Sequence, residues 1–139
     1  MTPELIAKAG TEHAHQAALF CWANQNLDKY PMLKWMHAIP NGGLRDKVTA
    51  SRLKAEGVRK GVSDVFLPYP SQTWIQRNNK PVAADFINYG LYIEMKKPGK
   101  GRVSPEQQEF MDYVTYVGYK AVVCETWEEA RDEIIAYLD

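Results

Sequence analysis

One seven-residue stretch constrains this chain more than any other. Gly90-Leu91-Tyr92-Ile93-Glu94-Met95-Lys96 is apolar enough for a core strand, and Pro98-Gly99 ends it. Side chains two apart on a strand share a face. Glu94 and Lys96 therefore project together, a carboxylate and an ammonium side by side on an otherwise apolar element. Burying either alone is costly, so each wants the other or a bound ion. On its own, a Glu-x-Lys pair is more often an edge-strand salt bridge than a piece of chemistry.

The pattern around that strand alternates helices and strands. Thr11 caps a helix expected from about Glu12 to Leu27, with Ala14, Ala18, Cys21 and Trp22 at helical spacing and Tyr30-Pro31 as its break. Lys34 to Ile39 alternates toward a strand that stops at Pro40-Asn41-Gly42-Gly43. Asp46 to Glu56 reads as a helix stopped by Gly57, and Ser63 to Leu67 as a short strand. Gln72 to Gln76 and Val82 to Ile87 pair across Arg77-Asn78-Asn79-Lys80, where Asn-Asn tolerates the turn's positive backbone angles. Ser104-Pro105-Glu106-Gln107 opens a helix with a serine cap, a first-turn proline and a capping-box glutamine. Phe110, Met111, Val114 and Val117 line one face of it, up to Gly118. Tyr119 to Cys124 is a last strand, and Thr126-Trp127-Glu128-Glu129 a second capping box for a helix with Ala130, Ile134 and Leu138 inward. The fold class expected is α/β, a mixed sheet with helices packed on it.

At 139 residues the chain has room for one domain, residues 1–139. No stretch approaches the ~18–20 apolar residues of a membrane span, and Met1 to Lys8 lacks the apolar core of a signal peptide. Cys21 and Cys124 lie far apart in apolar patterns, which suits buried free thiols in a reducing cytoplasm better than a disulfide or zinc site. The formal charge is zero, but it is unevenly spread. Residues 1–104 carry 15 basic and 8 acidic side chains, and residues 105–139 carry 2 and 9. Such asymmetry can mark a nucleic-acid face, with the acidic segment closing the core away from it.

Asp64 gives Glu94 a possible partner. It enters the short strand of Gly61-Val62-Ser63-Asp64-Val65-Phe66-Leu67, where it either caps the preceding turn or supplies a second carboxylate beside Glu94. Two carboxylates with waters and substrate phosphate suit Mg²⁺. Such a metal lowers the pKa of a bound water and neutralises charge developing on a scissile phosphate. Lys96 would then hold the water or stabilise the pentacovalent phosphate.

Asp followed by Glu-x-Lys on the next core strand resembles the PD-(D/E)XK nuclease superfamily. More closely, the chain resembles its VRR-NUC domains, the virus-type replication-repair nuclease modules, in their stand-alone phage form. The likeness rests on Glu12 with Gln16, Ile39-Pro40-Asn41-Gly42-Gly43-Leu44-Arg45, Leu53-Lys54-Ala55-Glu56-Gly57-Val58, Gly61-Val62-Ser63-Asp64, Ile93-Glu94-Met95-Lys96 and Gly101-Arg102-Val103-Ser104-Pro105-Glu106-Gln107, and runs from about Thr11 to Leu138. It implies a restriction-endonuclease-like core, with Asp64, Glu94 and the Met95 carbonyl as metal ligands for Mg²⁺ or Mn²⁺. It implies Lys96 as the catalytic lysine, with Glu12 and Gln107 completing the site. Beside those roles, an acid in the first helical turn is favoured by the dipole alone, and Gln107 has its capping box to complete. The activity implied is endonucleolytic cleavage of branched DNA, such as Holliday junctions or flaps, by a homodimer in the cytoplasm, with no membrane involved.

Two departures stand out. Ser63 occupies the place where the superfamily name implies proline, a position that tunes the turn and supplies no ligand. The connection from Pro68 to Tyr89 is longer than usual, and its hairpin, with Trp74 and Arg77, suggests an added arm for substrate or dimer contact; Asp85 there reads as a hairpin polar residue. Arg45, Lys47, Arg52, Lys54, Arg59 and Lys60 precede Asp64, and Lys97, Lys100 and Arg102 follow Glu94. Any one suits a solvated surface, but together they suit a phosphate path with sequence-independent affinity. Asn41, Arg45, Lys60, Lys97 and Arg102 are the expected DNA contacts. Other motifs fail. Gly99-Lys100-Gly101-Arg102 lacks Walker spacing, His13 and His15 point to different helix faces, and His37 reads as packed. A non-catalytic DNA-binding module is the alternative, and a purely structural protein a third, but neither needs paired carboxylates and a basic cluster together.

Overall fold

The computed structural model describes residues 1–41, 46–99 and 101–139, without the side chains of residues 73–75 and 83–86. Its elements in chain order are α1 (Pro3–Ala7), α2 (Glu12–Gln25), a 3-10 turn (Pro31–Trp35), β1 (His37–Ala38), α3 (Lys47–Ala55), β2 (Val65–Leu67), β3 (Ser71–Arg77), β4 (Lys80–Asn88), β5 (Leu91–Met95), α4 (Pro105–Tyr116), β6 (Lys120–Cys124) and α5 (Trp127–Leu138). The main sheet has the order β1-β2-β5-β6. β1, β2 and β5 run antiparallel, while β6 joins β5 in parallel through α4. A mixed sheet with helices on it is therefore what the residues build.

One face of that sheet is the core. Val65, Leu67, Leu91, Ile93, Met95 and Cys124 pack with Ala18, Leu19, Trp22 and Ala23 of α2 and Trp127, Ala130, Ile134 and Tyr137 of α5. Burying each large apolar side chain contributes roughly 1.5–3 kcal/mol. Alternation sends Phe66 and Tyr92 to the other face, where their rings stack 4.4 Å apart and Tyr92 meets Phe110 of α4 edge-on at 5.1 Å. Glu94 follows Tyr92 on that second face.

The expected boundaries shift where local chemistry outweighs alternation. The strand expected at Lys34–Ile39 is only His37–Ala38, because Pro31 starts a 3-10 turn. Leu33 and Met36, both buried, are three apart and so share one side of that turn. The helix expected to reach Leu27 ends at Gln25. The strand expected to start at Ser63 starts at Val65. α1 is not among the expected helices, although Thr2-Pro3-Glu4 repeats the Ser104-Pro105-Glu106 signature and Thr2 caps it. Thr126 caps α5, but Glu129 accepts from the Glu125 N–H at 2.9 Å, one residue beyond the Thr126 N–H that a capping box uses. Cys124 is buried as expected, whereas Cys21 is only half-buried.

β3 and β4 form a separate two-stranded sheet. Asn78 and Asn79 sit at φ 53° and 61°, both positive as a type I′ hairpin turn requires. The base of the hairpin is tied to the body. The Gly118 carbonyl accepts from the Tyr89 N–H at 2.9 Å, and the Tyr137 hydroxyl donates to the Tyr69 carbonyl at 2.7 Å.

Gly61 links this frame to α4. Its φ is +94°, and a Cβ there would come within 2.5 Å of the Glu106 carbonyl oxygen. Gly61→Ala should therefore lower stability by about 1–3 kcal/mol in urea unfolding. A variant as stable as the wild type contradicts this packing.

Candidate active site

The cleft begins where a sheet ladder stops. β2 pairs with β5 through Val65 and Ile93. One step further, the Met95 N–H donates at 2.7 Å to a carboxylate oxygen of Asp64, not to a backbone carbonyl. The Asp64 carbonyl accepts from the Ile39 N–H, also at 2.7 Å. Of the two roles weighed for Asp64, the side chain does not cap the preceding turn but turns toward the Glu94 strand. Its side chain closes the ladder and lines the same cleft as Glu94.

Glu94 is 2% exposed. Its Oε1 accepts from Gln107 Nε2 at 2.5 Å and lies 3.4 Å from Lys96 Nζ. Its Oε2 is buried without a partner. An unpaired buried carboxylate oxygen carries a desolvation penalty, and among the described residues none pairs with this atom.

Gln107 answers to two demands at once. Ser104 and Gln107 close a reciprocal capping box at the start of α4. Gln107 Oε1 accepts from the Ser104 N–H at 2.8 Å and from Lys96 Nζ at 2.6 Å, while its Nε2 donates to Glu94. The capping-box side chain is thus also the one that contacts Glu94 and Lys96 in the cleft.

α2 and β1 complete a cleft of about 460 Å³. Glu12, His13 and Gln16 line it from α2, Ala38 to Asn41 from the β1 side, and Asp64, Glu94, Met95, Lys96 and Gln107 from the floor. Glu12 is exposed at the mouth. Against this geometry, the VRR-NUC domain model matches residues 10–127, most of the chain. The chain belongs to the VRR-NUC family. A solved structure named "VRR_NUC domain protein" shares the fold, with a TM-score of 0.70 and 24% identity over 91% of this chain and 87% of that one. No curated sequence matches. Membership carries a nuclease-type function, with DNA as its substrate.

The VRR-NUC cleft pushes its carboxylates toward the protonated form. Burial, then the charge of Asp64, raises Glu94 to about 7, and Lys96 offsets only part of this. Asp64 is raised too, by burial first and then by Glu12, while the Met95 N–H pulls the other way. Two carboxylates that disfavour each other's charge form a donor set a divalent cation relieves. Among the described residues, no group of three or more His, Cys, Asp or Glu side chains converges on one point. The set is two carboxylates, which with substrate oxygens is the usual complement for Mg²⁺.

The remaining expected residues are more scattered. Asn41 lines the cleft, but its amide donates to the Val62 carbonyl at 3.2 Å, bracing the approach to Asp64. Lys60 pairs with Glu106 at 3.4 Å. Lys97 and Arg102 are exposed. Arg45 and Lys100 lie outside the described residues. α3, with Lys47, Arg52 and Lys54, buries no side chain. The acidic segment is not confined to a far side, since Glu106 meets Lys60 and Glu125 accepts from the Gly99 N–H at 2.7 Å. His37 is exposed, its ring edge-on to Phe66 at 5.8 Å. His13, set aside as half of a poor metal pair, lines the cleft as its partner turns inward. His15 Nδ1 accepts from the Trp127 N–H at 3.0 Å. The signal for His13 was its place between Glu12 and Gln16 on the first turn.

Glu94 gives the metal-free protein a definite pH signature. Its folded pKa lies above the ordinary 4.5, so the native chain binds more protons than the unfolded chain between about 4.5 and 7. Stability present below 4.5 is lost as the pH rises to about 7, and Asp64 adds the same sign. Chemical unfolding of the metal-free wild type minus Glu94→Gln should show that decline. A difference flat across this window contradicts the burial of a titrating Glu94.

Proposed function

We propose that this chain, residues 1–139 acting as one nuclease domain, is a divalent-metal-dependent DNA endonuclease selective for branched structures such as Holliday junctions or flaps. The observation that carries the reading is Glu94: a buried carboxylate with one oxygen unpartnered among the described residues, in one cleft with Asp64 and 3.4 Å from Lys96. Asp64 and Glu94 would hold Mg²⁺ or Mn²⁺, with the Met95 carbonyl as a third ligand. When bound, such a cation supplies an acidified water and neutralises charge on the scissile phosphate.

The chain's own groups do the rest. Lys96, half-buried with its ammonium on Gln107 and Glu94, offers a fixed cation to the attacking water or to the phosphate oxygen that gains charge. Gln107 holds Lys96 and Glu94 in register. Glu12 at the cleft mouth orients water from the α2 side. Asn41, Arg45, Lys60, Lys97 and Arg102 position the DNA backbone, and none of these roles reads bases, which suits selection by shape. A homodimer would present two clefts to a two-fold junction. The protein is proposed to act in the cytoplasm; no described helix is long and apolar enough to cross a membrane.

Labelled four-way junction, flap and linear duplex, incubated with Mg²⁺ or Mn²⁺, test the reading. Cleavage should require the cation, stop with chelator and favour the branched substrates. Lys96→Ala and Asp64→Asn should each reduce the rate by about 10²–10³-fold, and Gln107→Ala by about 10–100-fold. Equal cutting by wild type and both of the first two variants, or no cutting of any substrate by the wild type, overturns it.

A further inference from the structure

The hairpin is unexplained once the cleft is accounted for. β3 spans seven residues, so the arm is about 20 Å long at ~3.3 Å per residue. It leaves the main sheet after Leu67 and returns before Leu91, at the strand ends opposite Asp64 and Glu94. Its tip is Gln76-Arg77-Asn78-Asn79-Lys80, and every one of these residues is exposed.

The register places Arg77 directly across from Lys80. Like charges facing each other across a hairpin are destabilising. Among the described residues neither cation has an acidic partner. The two-residue turn at positive φ keeps them together at the tip. An anion set between them turns the repulsion into attraction.

We infer that the hairpin tip grips the phosphate backbone of DNA, in addition to the contacts at the cleft. This rests on DNA being the substrate. A guanidinium, an ammonium and three carboxamides are side chains of the kind that supply phosphate contacts. The tip has no apolar side chain, whereas the centres of protein interfaces are apolar and poor in lysine. That contrast favours nucleic acid over the acidic segment of a second copy.

The test is the salt dependence of binding to a labelled four-way junction without divalent cation, between about 50 and 200 mM salt. The probe compares wild type with the Arg77→Ala/Lys80→Ala double variant, whose exposed positions leave the circular dichroism spectrum unchanged. The plot of log affinity against log salt should flatten by about 1 per lost contact, about 2 in all. An unchanged slope overturns the assignment. So does an unchanged slope accompanied by loss of a dimer in sedimentation, which assigns the tip to a second copy. A wild type that binds DNA with the tip-dependent slope but never cuts keeps this contact and overturns the nuclease reading alone. One that cuts while its slope ignores the tip does the reverse.

Discussion

The cleft depends on a carboxylate standing where a backbone carbonyl would otherwise be. Asp64 ends the β2–β5 ladder by accepting the Met95 N–H through its side chain. The strand is thereby kept apolar up to Met95 yet opened to a cleft at Glu94. Glu94 sits buried in one cleft with a second acid, with Lys96 and Gln107 satisfying one oxygen and leaving the other. Core stability and a costly polar notch meet on adjacent residues: Ile93 and Met95 face the core, Glu94 the cleft.

α4 is what keeps the notch ordered. Its N-terminus is fixed by Ser104, by Gly61 pressed against the Glu106 backbone, and by the Lys60–Glu106 pair. The helix delivers Gln107 to Glu94 and Lys96 through the hydrogen bonds that cap it. A surface ion pair such as Lys60–Glu106 contributes little energy. Its place at the helix start matters more, because a basic residue expected on the DNA path also serves α4.

Much of this was legible from local chemistry. The capped starts of α2, α4 and α5 were visible because a cap needs only its own few residues, whereas Asp46, read as the first residue of α3, is its cap. The Asn-Asn turn was visible for the same reason. Glu94 and Lys96 could be placed on one side of a strand by alternation alone, Asp64 stood out as a carboxylate entering a short apolar strand, and the family resemblance added Glu12 and Gln107 as site candidates. What stayed hidden was non-local or off-period. Asp64's bond to Met95 spans 31 residues, and no spacing announces it. Leu33 and Met36 imitate a strand while lying on one side of a 3-10 turn. His13 and His15 were correctly split between two faces, but which face met the cleft depended on how α2 packs against α5.

Asp64 and Glu94 acting as one cation site is the central claim. Calorimetric titration of Mn²⁺ into the wild type, Asp64→Asn and Glu94→Gln, each checked for intact folding, measures this directly. The account predicts saturable binding by the wild type and a loss of affinity of about 10-fold or more in each variant. Equal Mn²⁺ affinity in all three proteins would contradict it.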